Sequence, residues 1–177
     1  FKMGVWSGID YFSSKMDQRT KWACIEDDLG QYNLFCNDEK IDQMQLQLLG
    51  KHNMMNLTAA IAVLSNFELK PKDLIVGAKK FTGVKRRLEY LGQFSEIDLF
   101  DDFAHHPTSI KASIAAVKST LDSSSLYAVV ELASNTMKKG SLKSELKKSF
   151  VDVDYAWILN SGNIQWDIRE EFAEIEN

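Results

Sequence analysis

The feature that most constrains the fold is an alternation, from residue 88 onward, between short apolar runs and longer stretches whose apolar residues recur at helical spacing. The strand-type runs are residues 88–91, 97–102, 126–132 and 155–160. Helices are predicted over residues 107–121 and about 138–151, with one more in the acidic segment 166–177. This alternation favours an α/β fold with a mostly parallel sheet and right-handed crossovers.

The first half of the chain places strands before helices. The strand candidates are the apolar-rich runs 21–26, 31–37 and 45–49. The acidic turn 27–30 between the first two is typical of a hairpin. Helical spacing then covers residues 53–67, and a second helix is predicted to begin at Pro71. Thr82-Gly83-Val84 follows, and we expect it to act as a hinge between two moving parts.

Composition narrows the choice of partners. The 177 residues are 45% hydrophobic, enough to build a core, and the net charge of −4 gives no reason to expect nucleic acid or an acidic membrane as partner. No apolar run approaches the roughly 20 residues that span a bilayer. Cys24 and Cys36 lie outside any CxxC spacing, so they are predicted to be reduced thiols of a cytoplasmic protein. The chain begins with Phe1, which indicates a piece of a longer protein.

All three histidines lie where a predicted strand gives way to a helix. His52 belongs to Gly-Lys-His-Asn-Met-Met-Asn at residues 50–56, and His105 and His106 belong to Asp-Asp-Phe-Ala-His-His-Pro-Thr at residues 101–108. In open α/β sheets ligands bind at this edge, outside the carboxyl ends of the strands. Helix N-termini at the same edge suit phosphate groups.

The sequence alone also allows these residues to have purely structural roles or to form a metal site. Asn53 is a suitable N-cap, and His106 precedes a proline at a first helical position. Asp101 and Asp102 could join the two neighbouring histidines in a metal site, although their spacing matches no standard motif. The basic run 85–87 is by default a solvated linker, and Ser-Asn-Thr at 134–136 is by default a turn.

Taken together, these blocks resemble the Mur ligases. The order runs from residues 50–56, through Gly-Val-Lys-Arg-Arg-Leu-Glu at 83–89 and the block at 101–108, to Ser-Asn-Thr-Met-Lys-Lys-Gly at 134–140. The last block is typical of the murein-recycling members, which join L-Ala-γ-D-Glu-meso-diaminopimelate to UDP-N-acetylmuramate. The resemblance implies that residues 1–84 are the tail of a central ATPase-type α/β domain. Residues 85–177 would then be most of a Rossmann-like C-terminal domain.

The resemblance also implies roles for particular residues, with ATP and Mg²⁺ as cofactors. The residues that it places around ATP are His52, Asn53, Asn56, Arg87, Asp102, His105 and His106. His52 and Asn53, with Asn56 nearby, would face the adenine, while Arg87 would contact the phosphates and Asp102 the ribose hydroxyls. Ser134 and Asn135 would bind substrate, and the implied partners are UDP-N-acetylmuramate and a peptide or amino-acid acceptor.

Two departures from the family pattern limit these expectations. Ala133 stands where murein-recycling members usually have an arginine, a plausible anchor for a carboxylate of the incoming peptide. The chain also contains no Gly-x-x-x-x-Gly-Lys-Ser/Thr phosphate loop, so we expect it to be inactive alone, with no catalytic residue and the Mg²⁺ site mainly elsewhere. The alternatives are the alanine-adding ligase of the same family and a non-catalytic α/β binding module.

Overall fold

The computed structural model describes residues 8–44, 49–160 and 162–172. The chain separates into two compact units, Phe1–Gly83 and Val84–Asn177. The sequence-based boundary, after residue 84, lies one residue from this division. The assignment of the two units to particular ligase domains stays a prediction, and so does the hinge. None of the helices in the described ranges is long and apolar enough to cross a bilayer.

The first unit contains a four-stranded sheet in the order β1-β2-β3-β4. Its strands are β1 (Tyr11–Ser13), β2 (Thr20–Glu26), β3 (Tyr32–Cys36) and β4 (Glu39–Met44). β1 runs parallel to β2, whereas β2, β3 and β4 pair antiparallel. The predicted β2–β3 hairpin is present because Asp27 accepts hydrogen bonds from the Leu29 and Gln31 amides and Gly30 takes a positive φ of 72°.

Strand β4 was not predicted, and its sequence shows why. Its residues are mostly polar, and the hairpin turn before it consists of Asn37 and Asp38, both with positive φ (48° and 66°). The candidate strand at 45–49 cannot be compared, because residues 45–48 lie outside the described ranges; Leu49 itself is not in a strand.

Two helices cover this sheet: α1 (Lys51–Leu64), extended by a 3₁₀ turn at Ser65–Phe67, and α2 (Pro71–Ala78). Their apolar stripes pack against the strands around a shared core of Trp22, Leu34, Ile61, Ala62 and Ile75. The prediction of Asn53 as N-cap is wrong. Gly50 (φ 90°) is the N-cap, and Asn53 lies in the first turn, where its Nδ2 donates to the Leu49 carbonyl at 2.7 Å.

The second unit contains two two-stranded sheets rather than one mostly parallel sheet. β5 (Glu89–Phe94) and β6 (Ile97–Asp101) are antiparallel, whereas β7 (Tyr127–Glu131) and β8 (Tyr155–Leu159) are parallel. Only the two-residue turn Ser95-Glu96, with φ values of 48° and 67°, joins β5 to β6, and so short a connection requires antiparallel strands. The predicted α/β class is confirmed, with both parallel and antiparallel pairing.

The described residues of this unit also form four helices: α3 (Pro107–Lys118), α4 (Asn135–Lys139), α5 (Lys143–Lys148) and α6 (Ile168–Phe172). The single helix predicted over 138–151 is therefore two helices, because Gly140 takes a left-handed conformation (φ 74°) and ends α4. The helix predicted over 166–177 is observed only as α6, and residues 173–177 lie outside the described ranges. The core residues are Ile110, Ile114, Leu132, Met137, Leu146 and Phe150.

Candidate nucleotide-binding site

In the first unit, the candidate residues occupy the first two turns of α1. The buried side of this helix carries Met54, Thr58 and Ile61. His52 is half-buried and Asn56 is exposed; because they lie four residues apart, they are neighbours on one helix surface. Asn53 is half-buried, and its amide group is held against the backbone before the helix. His52 and Asn56 are therefore the pair that this unit presents together.

In the second unit, the end of β6 and the start of β5 meet because the two strands form a hairpin in which Glu89 pairs with Asp101. A hydrogen bond from the Phe103 amide to the Arg86 carbonyl, 2.8 Å long, joins the segment before β5 to the segment after β6. The basic turn and the Asp-Asp-Phe-Ala-His-His block are thus brought together by strand pairing. The sequence alone did not show this proximity.

Both arginines of the basic turn lie over one aromatic ring. The guanidinium carbons of Arg86 and Arg87 are 5.2 and 5.8 Å from the centroid of the Phe103 ring. Arg86 also has φ 58°, donates its amide to Glu89, and places its Nε 3.4 Å from Asp101. Arg86 therefore has partners within the second unit, although its side chain is 61% exposed. Arg87 makes no ion pair within the described ranges, so its planar donor fork remains suited to a phosphate.

Asp102 follows β6 directly and bridges to α3. Its Oδ1 accepts the Ala104 amide at 3.0 Å and its Oδ2 accepts the Ser113 hydroxyl at 2.5 Å. Asp102 does not cap α3, because that position belongs to His106, whose Nδ1 accepts the Thr108 amide at 3.3 Å. The capping interpretation is thus confirmed for His106.

His105 is exposed and is oriented by its neighbour. Its Nδ1 lies 3.0 Å from the Phe103 carbonyl oxygen, and its ring meets the Phe103 ring edge-on at 5.2 Å between centroids. Phe103 therefore contacts both arginines and His105, although the sequence reading gave it no role. In the sequence, only the position of Phe103 between Asp102 and Ala104 could have indicated that it belongs to the site.

The metal alternative is not supported by these contacts. Asp101 faces Arg86, Asp102 faces Ser113, and the two histidines bond to separate backbone groups. Across the described ranges, no group of three or more His, Cys, Asp or Glu side chains is arranged to hold a metal ion. We therefore assign none of these four side chains as a metal ligand.

The Ser-Asn-Thr-Met-Lys-Lys-Gly block follows β7 and builds α4. Ser134 is the N-cap, its hydroxyl accepting the Met137 amide at 3.3 Å, so it does more than form a turn. Met137 is a core residue and Gly140 ends the helix. Asn135 and Ala133 are exposed. Of the two predicted substrate contacts, Ser134 thus uses its hydroxyl to cap α4, while the Asn135 side chain is exposed to solvent.

The segments 86–87 and 101–106, which flank the β5–β6 hairpin, carry side chains whose chemistry suits phosphate and hydroxyl groups. Arg87 supplies a planar, permanently charged donor, and Asp102 supplies a carboxylate acceptor held by two hydrogen bonds. Asp102 lies at a strand-to-helix transition, the usual position for nucleotides in α/β proteins. Arg87 lies before β5, in the segment that the hydrogen bond from Phe103 to Arg86 joins to this transition.

Comparison with known proteins identifies the family. Residues 86–176 match the family model described as "Mur ligase, glutamate ligase domain". The chain belongs to the Mur ligase family. Mur ligases are ATP-dependent enzymes that form C–N bonds.

Individual relatives extend the similarity to both units. The UDP-N-acetylmuramate–L-alanyl-γ-D-glutamyl-meso-2,6-diaminoheptandioate ligase of Escherichia coli is 32% identical over 95% of this chain. The crystal structure of a murein peptide ligase from Psychrobacter arcticus is also 32% identical, covers 96% of the chain and has a TM-score of 0.68. A UDP-N-acetylmuramate–L-alanine ligase from Geotalea daltonii is 36% identical over 66% of the chain. The matched region spans 36% of the length of the Escherichia coli protein and 25% of the length of the Geotalea daltonii protein.

Proposed function

We propose that this chain is part of a cytoplasmic, ATP-dependent ligase that joins L-Ala-γ-D-Glu-meso-diaminopimelate to UDP-N-acetylmuramate in peptidoglycan recycling. The observation that carries the proposal is the 32% identity over 95% of the chain to a ligase named for that peptide and that nucleotide sugar. The predicted murein-recycling block at 134–140 points the same way.

The proposed reaction has two steps. A carboxylate oxygen of the muramoyl group attacks the γ-phosphorus of ATP and ADP leaves, which gives an acyl phosphate. The peptide amine then attacks the acyl carbon and loses a proton, and phosphate leaves as the amide forms. Since phosphoryl transfer depends mainly on positioning and charge stabilisation, the role that we assign to this chain is to hold the nucleotide.

In this proposal the second unit is most of the C-terminal ligase domain and holds the ribose and phosphates. Asp102 accepts hydrogen bonds from the ribose hydroxyls, and Arg87 contacts the phosphate chain. The two hydrogen bonds already made by Asp102 leave acceptor capacity, because a carboxylate has about four lone-pair sites. His105 and His106 flank the nucleotide, with His106 held by its capping bond.

The first unit, in this proposal, is the end of the central ATP-binding domain and supplies groups for the adenine edge. His52 and Asn56 share one helix surface, and imidazole and amide groups can each donate or accept. Asn53 has an indirect role: its Nδ2 donates to the Leu49 carbonyl and so holds the first turn of α1, which carries His52, in place.

For the acceptor peptide, we propose Asn135 as the contact in the 134–140 block, because the Ser134 hydroxyl already caps α4. Ala133 offers no charge to a peptide carboxylate, so acceptor choice must depend on other groups. The alanine-adding ligase is the second candidate. It is favoured by the 36% identity of the Geotalea daltonii alanine ligase, although over only 66% of the chain.

The ribose assignment can be tested with adenosine and 2′,3′-dideoxyadenosine, which lacks both ribose hydroxyls. Affinities for the 177-residue chain are measured by NMR titration. We expect adenosine to bind more tightly, and Asp102→Ala to weaken adenosine binding by about tenfold, typical of a hydrogen bond to a charged group. Asp102→Ala should leave dideoxyadenosine binding unchanged.

The control is Asp122→Ala, which removes an exposed carboxylate from the loop after α3. It should preserve the preference for adenosine. If Asp102→Ala also preserved it, and cost only the roughly 1 kcal/mol of a lost local hydrogen bond, Asp102 would have a structural role and the site assignment would be refuted.

A further inference from the structure

We propose that Ser113 is a positioning residue for the ribose of ATP and that it acts by orienting the Asp102 carboxylate. This inference rests on the proposed function, because it assumes that Asp102 binds the ribose. Ser113 lies in α3, eleven residues after Asp102, and its Oγ donates to Asp102 Oδ2 at 2.5 Å, a short distance typical of a hydroxyl bonded to a carboxylate.

Asp102 lies in a segment without regular secondary structure, so a second donor adds a restraint on its carboxylate. It follows β6 and precedes α3, and its local bond to the Ala104 amide fixes only Oδ1. Ser113 fixes the other oxygen, from a different element. With both oxygens bonded, rotation of the carboxylate about its side-chain torsions is restrained, so its remaining lone pairs keep one direction.

The helix that carries Ser113 is well anchored. Its neighbours Ile110 and Ile114 are 4% and 7% exposed and belong to the core of the second unit. The helix begins at Pro107, with His106 as N-cap. The packing of α3 against the core therefore fixes the backbone position from which the Ser113 hydroxyl extends.

The hydroxyl of Ser113 has a different partner from the hydroxyls of Thr58 in α1 and Ser119 at the end of α3. Serine and threonine within helices commonly bond to a carbonyl in the preceding turn. Thr58 bonds to the Met54 carbonyl in this way, and Ser119, at the end of α3, bonds to the Ala116 carbonyl. Ser113 instead donates across to a site residue.

A purely structural role would give a different result from a positioning role. If Ser113 only tied α3 to the end of β6, its loss would lower stability and leave the preference for ribose hydroxyls intact. If it positions Asp102, its loss should reduce that preference, and a hydroxyl-bearing replacement should restore it.

The test compares Ser113→Ala, Ser113→Thr and the control Ser109→Ala, which removes an exposed hydroxyl from the same helix. Each variant of the 177-residue chain is titrated with adenosine and with 2′,3′-dideoxyadenosine by NMR. We expect Ser113→Ala to reduce the preference for adenosine about three- to tenfold. Ser113→Thr and Ser109→Ala should retain it, and dideoxyadenosine affinity should be the same in all variants.

A ligand-free measurement accompanies the titrations. Three-bond couplings to the Asp102 side-chain carboxyl carbon report its χ1 rotamer, which should be single in the unaltered chain and averaged in Ser113→Ala. If Ser113→Ala kept both the single rotamer and the ribose preference while Asp102→Ala lost the preference, the role of Ser113 would be refuted alone. If Asp102→Ala kept the preference as well, or the unaltered chain had none, the proposed function of Asp102 would be refuted with it.

Discussion

Gly140→Ala offers a quantitative test of how the 134–140 block is held. Gly140 ends α4 with a φ of +74°, a left-handed conformation that alanine adopts at a cost of about 1–2 kcal/mol. A Cβ built on Gly140 would lie 2.6 Å from Cδ1 and 2.8 Å from Cγ of Trp166. Both atoms belong to a rigid indole ring, so the whole ring must move.

Displacing the ring has a further cost. Trp166 Nε1 donates to the Met137 carbonyl at 2.8 Å, and the loss of such a bond costs about 1 kcal/mol. The ring centroid also lies 6.4 Å from that of Phe172, and the ring packs against the core of the second unit; loosening these contacts costs up to about 1 kcal/mol more. Gly140→Ala should therefore destabilise the second unit by about 2–4 kcal/mol.

The assay is native-state hydrogen exchange at the amides of Ile114 and Leu146, which lie in the core helices α3 and α5 and report on the second unit alone. The matched control is Gly162→Ala. Gly162 has a similar φ of +88°, but a Cβ there would meet no atom within 4 Å, so only the conformational cost of about 1–2 kcal/mol is expected.

The difference between the two variants isolates the contact with Trp166. Gly140→Ala should exceed Gly162→Ala by about 1–2 kcal/mol. If the two variants lost the same stability, the packing of Trp166 over Gly140 would not restrict this position, and the explanation of the helix break at 140 would rest on backbone conformation alone.

Two further predictions concern charged groups. Arg87→Lys keeps the charge but loses the planar fork, so ADP affinity should fall several-fold while adenosine affinity stays constant; equal ADP titrations would contradict a phosphate contact. The Leu126 amide, and after it the Lys118 ammonium, lower the pKa of Asp154 below its usual 3.8. The ionised Asp154 therefore stabilises the fold above pH 3.8, and this stabilisation is lost as pH falls through its lower folded pKa. Unfolding by urea is followed through the Trp166 indole signal. Below about pH 4 the urea midpoint should fall more steeply in the unaltered chain than in Asp154→Asn. Equal slopes would refute this.

The sequence predicted elements well where local chemistry determines them. The acidic turn before β3 is built by Asp27 and Gly30, residues that favour turns wherever they occur. Likewise, α2 and α3 begin at Pro71 and Pro107, as their fixed φ predicts. These features depend on a few neighbouring residues and need no knowledge of the rest of the fold.

The errors arise where pairing or packing decides the structure. The direction of β5 against β6 depends on a two-residue turn, Ser95-Glu96, that carries no glycine to mark it. The break between α4 and α5 follows from Gly140 together with Trp166, which lies 26 positions later. Similarly, the contact of Ser113 with Asp102 connects a helix to a strand end and has no local signal.

The candidate site shows the same division. The blocks that hold His52, Arg87 and Asp102 could be recognised from their order along the chain. Strand pairing, which brings Arg87 beside Phe103, could not. The capping role of His106 was open at the sequence level, and only its hydrogen bond to Thr108 decided it.

Product analysis of the full-length protein tests the proposed ligase activity. The protein is incubated with ATP, Mg²⁺ and UDP-N-acetylmuramate, together with either L-Ala-γ-D-Glu-meso-diaminopimelate or L-alanine, and products are identified by mass spectrometry. The expected result is the tripeptide conjugate with one ADP and one phosphate per amide bond, and no phosphate release by the 177-residue chain alone. Formation of the L-alanine conjugate instead, or turnover by the 177-residue chain, would contradict it.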